Sequence, residues 1–130
     1  SQKDTMKTLD LSCTDLRTTD MTYLIKEISD PSSGIRLNTL NLSENLTVND
    51  EVLKLVSHLF KSSPSIQHFY FDRTNVTIYG LKKVLKAIQD RRNIRTISTK
   101  DNNMSLMMQE DGKKVVELLE NNFSLTVFSY

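Results

Sequence analysis

The sequence predicts an α/β solenoid, a stack of short strand–helix units with every strand parallel. Apolar residues recur at places 1, 4 and 6 of a short motif: Met6, Leu9, Leu11, then Leu37, Leu40, Leu42, then Ile66, Phe69, Phe71. A fourth copy reads Ile94, Ile97, Thr99, and a last, incomplete one reads Leu125, Phe128, Tyr130. The steps from one start to the next are 31, 29, 28 and 31 residues. Places 1, 4 and 6 do not share one helix face. They suit a short strand with two inward residues two apart, reached by a bend. After each motif comes a run of helical period.

Place 9 of the motif is Asn45 and Asn102 in two copies and Thr14 and Thr74 in the others. A period near 28 with the signature L-x-x-L-x-L-x-x-N is that of a leucine-rich repeat solenoid. The units are about 6–36, 37–65, 66–93 and 94–124, with a final strand at 125–130, in a single domain. A right-handed strand–helix connection puts the parallel strands on a concave inner face and the helices on a convex outer one.

The helices follow in order. Met21, Leu24, Ile25 and Ile28 make one face of the first, with Thr19 or Asp20 as cap and Asp30-Pro31 as stop. Val52, Leu55, Val56, Leu59 and Phe60 form the second stripe, capped by Asn49 or Asp50 and ended by Ser62-Ser63-Pro64. Leu81, Val84, Leu85 and Ile88 form the third after Gly80, and Val115, Leu118 and Leu119 the fourth after Gly112. The strands are expected to run for six residues. Asn45 and Asn102 stand where the chain leaves a strand, and a side-chain amide there bonds main-chain groups that the turn leaves unpaired. Thr14 and Thr74 are expected to do half of that work.

Composition narrows the function. The chain has 130 residues and a net charge of +1, so bulk electrostatics favour neither nucleic acid nor an anionic membrane. No apolar run approaches the roughly 20 residues of a membrane span. The one cysteine, Cys13, precludes an internal disulfide framework and fits a reducing, cytoplasmic setting. The first residue is Ser1 and the last motif is cut short at Tyr130, so the expectation is a piece of a longer protein. A solenoid also needs capped ends, and uncapped ones invite self-association.

Taken over residues 6–130, the strand–helix repeat resembles the ribonuclease-inhibitor-like class of leucine-rich repeats. The last third is most similar to the C-terminal repeats of tropomodulin and leiomodin. There Asp101-Asn102-Asn103 opens a long loop to Asp111, a helix covers 115–122, and the strand from Leu125 ends in Phe128-Ser129-Tyr130. In that family the domain caps the slow-growing end of actin filaments. The resemblance therefore implies actin as a partner and the cytoskeleton as a setting.

No catalytic constellation is expected, and no cofactor or metal. Gly34, Gly80 and Gly112 are too scattered for a phosphate-cradling loop. His58 falls on a helix and His68 on a strand, which points them to different faces. The function expected is a non-catalytic protein-interaction scaffold, using the outward places 3, 5, 7 and 8 of the strands and turns. His68, Tyr70, Asp72 and Arg73 lead this set, a tyrosine beside an acid and an arginine being the composition of a contact hot spot. Asn41, Glu44, Ser98 and Lys100 join them. The same residue types also suit a plain solvated sheet face.

Two further clusters stand out. Lys82, Lys83, Lys86, Arg91, Arg92 and Arg95 gather on the third helix and its exit. They suit a phosphate or an acidic partner, or a solvated face near a helix C-terminus. With no aromatic row between them, nucleic acid is disfavoured. Met104, Leu106, Met107 and Met108 sit in the long fourth turn, where burial in the bulge is expected over exposure.

Overall fold

The computed structural model describes residues 7–30, 32, 34–89, 93–102, 109–120 and 127–129. Strands and helices alternate along them: β1 (Lys7–Asp10), α1 (Thr18–Ser29), β2 (Leu37–Asn41), α2 (Asp50–Ser62), β3 (His68–Tyr70), α3 (Ile78–Ile88), β4 (Thr96–Ser98), α4 (Gln109–Glu120) and β5 (Val127–Ser129). The five strands form one parallel sheet in sequence order. Leu9, Leu40, Phe69, Ile97 and Phe128 stand opposite one another along it, which is the register the motif predicts.

The strands span three to five residues rather than six. After place 5 the chain turns, and the ladder adds one more rung at the residue that leaves. Leu11, Leu42 and Phe71 each donate to the strand beside them, at 2.8–2.9 Å. Short strands suffice because the core sits between sheet and helices. Leu40, Leu42, Phe69, Phe71 and Ile97 are fully buried, against Val52, Val56, Phe60, Val84 and Ile88 from the helices. Each such side chain stabilises the fold by about 1.5–3 kcal/mol. Phe69 is central, meeting Phe60 edge-on at 5.3 Å and stacking on Phe71 at 4.7 Å. Thr99 takes place 6 of the fourth copy and is also buried, its hydroxyl accepting from the Asn102 amide at 2.8 Å. In the first unit Leu9, Leu11 and Leu16 are only partly buried.

The start of α2 is as expected, and those of the other helices differ from expectation in instructive ways. α1 begins at Thr18, before Thr19 and Asp20; Asp20 serves the start from inside by accepting the Arg17 N–H at 3.3 Å. Asn49 caps α2, accepting the Val52 N–H at 3.1 Å. Asp50 has another task. Its carboxylate accepts the N–H of Thr77, the cap of α3, at 2.8 Å, and the Thr77 hydroxyl as well. The first turns of neighbouring helices are thereby tied together. Gly80 and Gly112 lie inside α3 and α4 rather than at their starts. At Gly80 the reason is space: a β-carbon there would meet Asp50 Oδ1 at 2.4 Å.

Candidate functional site

Two rows of side chains cross the concave face. Place 3 aligns Thr8, Thr39, His68 and Thr96, and place 5 aligns Asp10, Asn41, Tyr70 and Ser98. The rows close towards β4. Asp10 is exposed and Asn41, His68 and Tyr70 are half-buried, while Thr96 and Ser98 are buried. His68 Nδ1 lies 2.9 Å from Thr96 Oγ1. Ser98 was expected among the contact residues, and its burial corrects that expectation. Its hydroxyl donates to Asp72 at 2.6 Å, and the same carboxylate oxygen accepts the Lys100 N–H at 2.7 Å. Ser98 and the Asp72 carboxylate therefore build the turn, and the Lys100 side chain remains exposed.

Beyond the strands the chain turns in the same way four times. The place-8 residues Cys13, Glu44, Arg73 and Asp101 all have positive φ, between 50° and 60°. Such geometry is uncommon without glycine. Here it is held by a ladder between turns: Cys13 N–H to Ser43 O, Glu44 N–H to Asp72 O, and Arg73 N–H to Lys100 O. Local bonds at place 7 assist. Asp10 accepts from the N–H and hydroxyl of Ser12, and Asn41 accepts from the N–H of Ser43 at 3.0 Å. Tyr70 has no such acceptor to offer, and the Asp72 N–H donates instead to the Ser43 hydroxyl at 2.9 Å.

The left-handed turns throw their side chains onto one rim. Arg73 reaches both neighbours, Glu44 at 3.1 Å on one side and Asp101 at 3.1 Å on the other, with all three side chains about half exposed or more. This joins two of the expected residues, Arg73 and Glu44, and adds Asp101, which lay in the same column but outside the expected contact set. Leu46 was missed altogether. It is 77% exposed, the highest value among the large exposed apolar residues described, and sits just past Asn45 on the same rim. Its signal in the sequence was an apolar residue outside every motif place.

Asparagine supports the rim from beneath. The Asn45 carbonyl oxygen accepts the N–H groups of Thr14 and Asp15, each at 3.2 Å, in the preceding turn. Its amide donates to the carbonyls of Leu11, Leu42 and Ser43 at 2.8–3.1 Å. Asn102 does likewise for Thr74, accepting from its N–H at 2.7 Å and its hydroxyl at 2.9 Å, and donating to Phe71 O. Thr14 and Thr74 each return a hydroxyl bond to the carbonyl three residues back. That is the half share expected of them.

Comparison with solved structures places this arrangement. The structure called leiomodin-1 actin-binding site 2 superposes with a TM-score of 0.81 at 14% identity, covering 99% of this chain and 73% of its own. The tropomodulin C-terminal domain of Caenorhabditis elegans gives a TM-score of 0.82 at 16% identity, covering 98% and 75%. The fold is that of the tropomodulin and leiomodin C-terminal domains. No protein-family model matches the chain, and no curated protein matches it by sequence. At this identity the likeness is one of fold, and residue roles rest on the geometry above.

Elsewhere the chemistry is sparse. Among the described residues no three or more His, Cys, Asp or Glu gather where they could hold a metal ion. No described helix is long and apolar enough to cross a membrane. A groove of about 570 Å³ lies at the opposite edge, where helices end and strands begin, with Ile28, Ile35, Arg36, Pro64 and Gln67 in its lining. None of the expected contact residues lines it. Ser12 holds the Asp10 carboxyl below the usual aspartate range, first through its hydroxyl and then through its N–H. The Met104–Met108 cluster, Arg91 and Arg92 lie outside the described residues.

Proposed function

We propose that this chain is a non-catalytic protein-interaction domain that engages its partner through the turn rim and the open part of the concave face. The observation that carries the proposal is the Glu44–Arg73–Asp101 array beside exposed Leu46. An arginine held between two carboxylates has already lost much of its rotational freedom, and an adjacent leucine offers an apolar anchor. His68 and Tyr70 extend this surface onto the sheet. Half-exposed ion pairs contribute little stability, so their repetition along a rim suits recognition better than folding.

Actin is the partner this reading favours, in the cytoplasm and at filament ends. It is supported by the fold shared with the leiomodin-1 actin-binding site and by the tropomodulin-like spacing of the last third. The 28–31-residue strand–helix unit supports grouping the chain with the ribonuclease-inhibitor-like repeats. Co-sedimentation with filamentous actin and growth at the slow filament end form the test. Binding that Arg73→Glu and Leu46→Ala abolish is the expected result. Full binding by both variants would remove the rim, and no effect of the native chain on actin would remove actin.

A further inference from the structure

We infer that the convex face of α2 and α3, behind the sheet, binds an acidic segment of a partner protein. Charge is unevenly shared among the helices. α3 holds three lysines and no acid, α4 has four acids against two lysines, and α1 has two acids against one lysine. In α2 the acids Asp50 and Glu51 are confined to the first turn, and Asp50 is bonded to Thr77. Lys54, His58 and Lys61 follow along its exposed side, and Lys83 and Lys86 are exposed on α3. Counted from the caps Asn49 and Thr77, Lys54 and Lys82 hold the same place in their helices, and so do His58 and Lys86. The lysines of the two helices, with His58 among them, therefore form a band two helices wide. Among the described residues, Lys54, Lys61, Lys83 and Lys86 have no carboxylate within ion-pair distance.

The flanks choose the occupant. Asp20 and Glu27 on α1 and Glu110, Glu117 and Glu120 on α4 are exposed, bordering the band with the opposite sign. Helices pack roughly 8–10 Å apart, so the positive band is about 20 Å across. A broad anionic plane such as a lipid surface would press against those acids. A single acidic helix or extended segment lies along the band without reaching them. Tyr79 is the one exposed aromatic on α3, and Lys82 already sits over its ring at 5.9 Å, which leaves no row of rings for stacking nucleic-acid bases.

Fluorescence anisotropy of a short labelled polyglutamate against the full chain tests this, at low and high salt. Binding that salt weakens is expected. The triple substitution Lys54→Gln, Lys83→Gln, Lys86→Gln should lower affinity about tenfold, as the joint loss of three exposed ion pairs implies. Lys113→Gln on α4 and Arg73→Glu on the rim should leave it unchanged, which separates failure here from failure of the rim reading. If circular dichroism shows the triple variant unfolded, Lys83→Gln alone carries the test, with about a twofold loss expected. No binding at low salt, an equal loss in Lys113→Gln, or displacement by anionic lipid vesicles or a single-stranded oligonucleotide at lower concentration than unlabelled polyglutamate would each overturn the proposal.

Discussion

Gly80 is a glycine because Asp50, one repeat earlier, has taken the space its side chain would fill. A β-carbon on Gly80 would sit 2.4 Å from Asp50 Oδ1 and 3.2 Å from Val76 Cγ1, while Thr77 holds that carboxylate in place. Alanine ordinarily favours a helix over glycine by about 1 kcal/mol. Here Gly80→Ala should destabilise the fold by about 1–3 kcal/mol, because the overpacking outweighs the propensity. In an Asp50→Ala background the same change should be neutral or stabilising. Urea denaturation of the two single variants and the double variant measures this, and simple additivity would refute it.

The strand register makes a sharp contrast between neighbours. Leu40 is fully buried and Asn41 half-buried on the opposite face, bonded to Ser43. Leu40→Ala should destabilise by about 2–5 kcal/mol, and Asn41→Ala by about 1 kcal/mol or less. Equal losses in chemical denaturation would mean that the register is displaced by one residue.

Asn45 satisfies main-chain groups in two turns at once. Asn45→Ala strands the N–H groups of Thr14 and Asp15 together with the carbonyl of Leu11, and should destabilise by about 2–3 kcal/mol. Amide exchange at Thr14 and Asp15 should quicken in this variant. Unchanged protection there would count against the role given to the side chain.

Asp10 should titrate below an ordinary aspartate, because the hydroxyl and N–H of Ser12 favour its charged form. A depressed carboxyl contributes stability above the unfolded aspartate pKa and loses it as pH falls through the folded value. The contribution is therefore present at neutral pH and fades only in strong acid. Ser12→Ala removes the larger cause and should raise the Asp10 pKa towards the ordinary value. A carboxyl NMR titration of both forms reads the shift directly.

Arg73→Glu would set a third carboxylate between Glu44 and Asp101. Since these groups are well exposed, the stability change should stay within about 1 kcal/mol. A thermal melt close to that of the native chain is the expected outcome. A large loss would show that the array serves the fold first.

Much of the fold was legible because the repeat carries two signals that reinforce each other. The spacing of Leu37, Leu40 and Leu42 implies a bend and a strand, and the stripe from Val52 to Phe60 implies the helix that packs behind it. Helix starts were less legible. Thr77 looks no different from the other threonines until Asp50 is seen to reach it from a neighbouring repeat, and Gly80 mimics a helix boundary when its true neighbour is a carboxylate 30 places earlier. The rim was half legible. Place 8 named Glu44 and Arg73, but their pairing with Asp101 depends on the shared left-handed turn, which no residue type announces. Ser98 has the composition of a surface residue and the position of a buried one, because Asp72 claims its hydroxyl.

The alternation of Asn and Thr at place 9 has a consequence for how such a chain can grow or shrink. Asn45 completes the turn of Thr14, and Asn102 completes that of Thr74, so the first two units form one closed couple and the next two another. The junction between couples relies on other links, the bridge of Asn49 with Asn75 and the bond from Asp72 to Ser43. Excising the second unit alone would bring Thr14 beside Thr74, which is itself answered by Asn102 and has no amide to offer the Thr14 turn. Removing both units of a couple leaves every remaining turn with its partner. Loss of the second unit alone therefore costs the Thr14 turn its asparagine, whereas loss of the first two units together leaves the remaining Thr74–Asn102 couple intact.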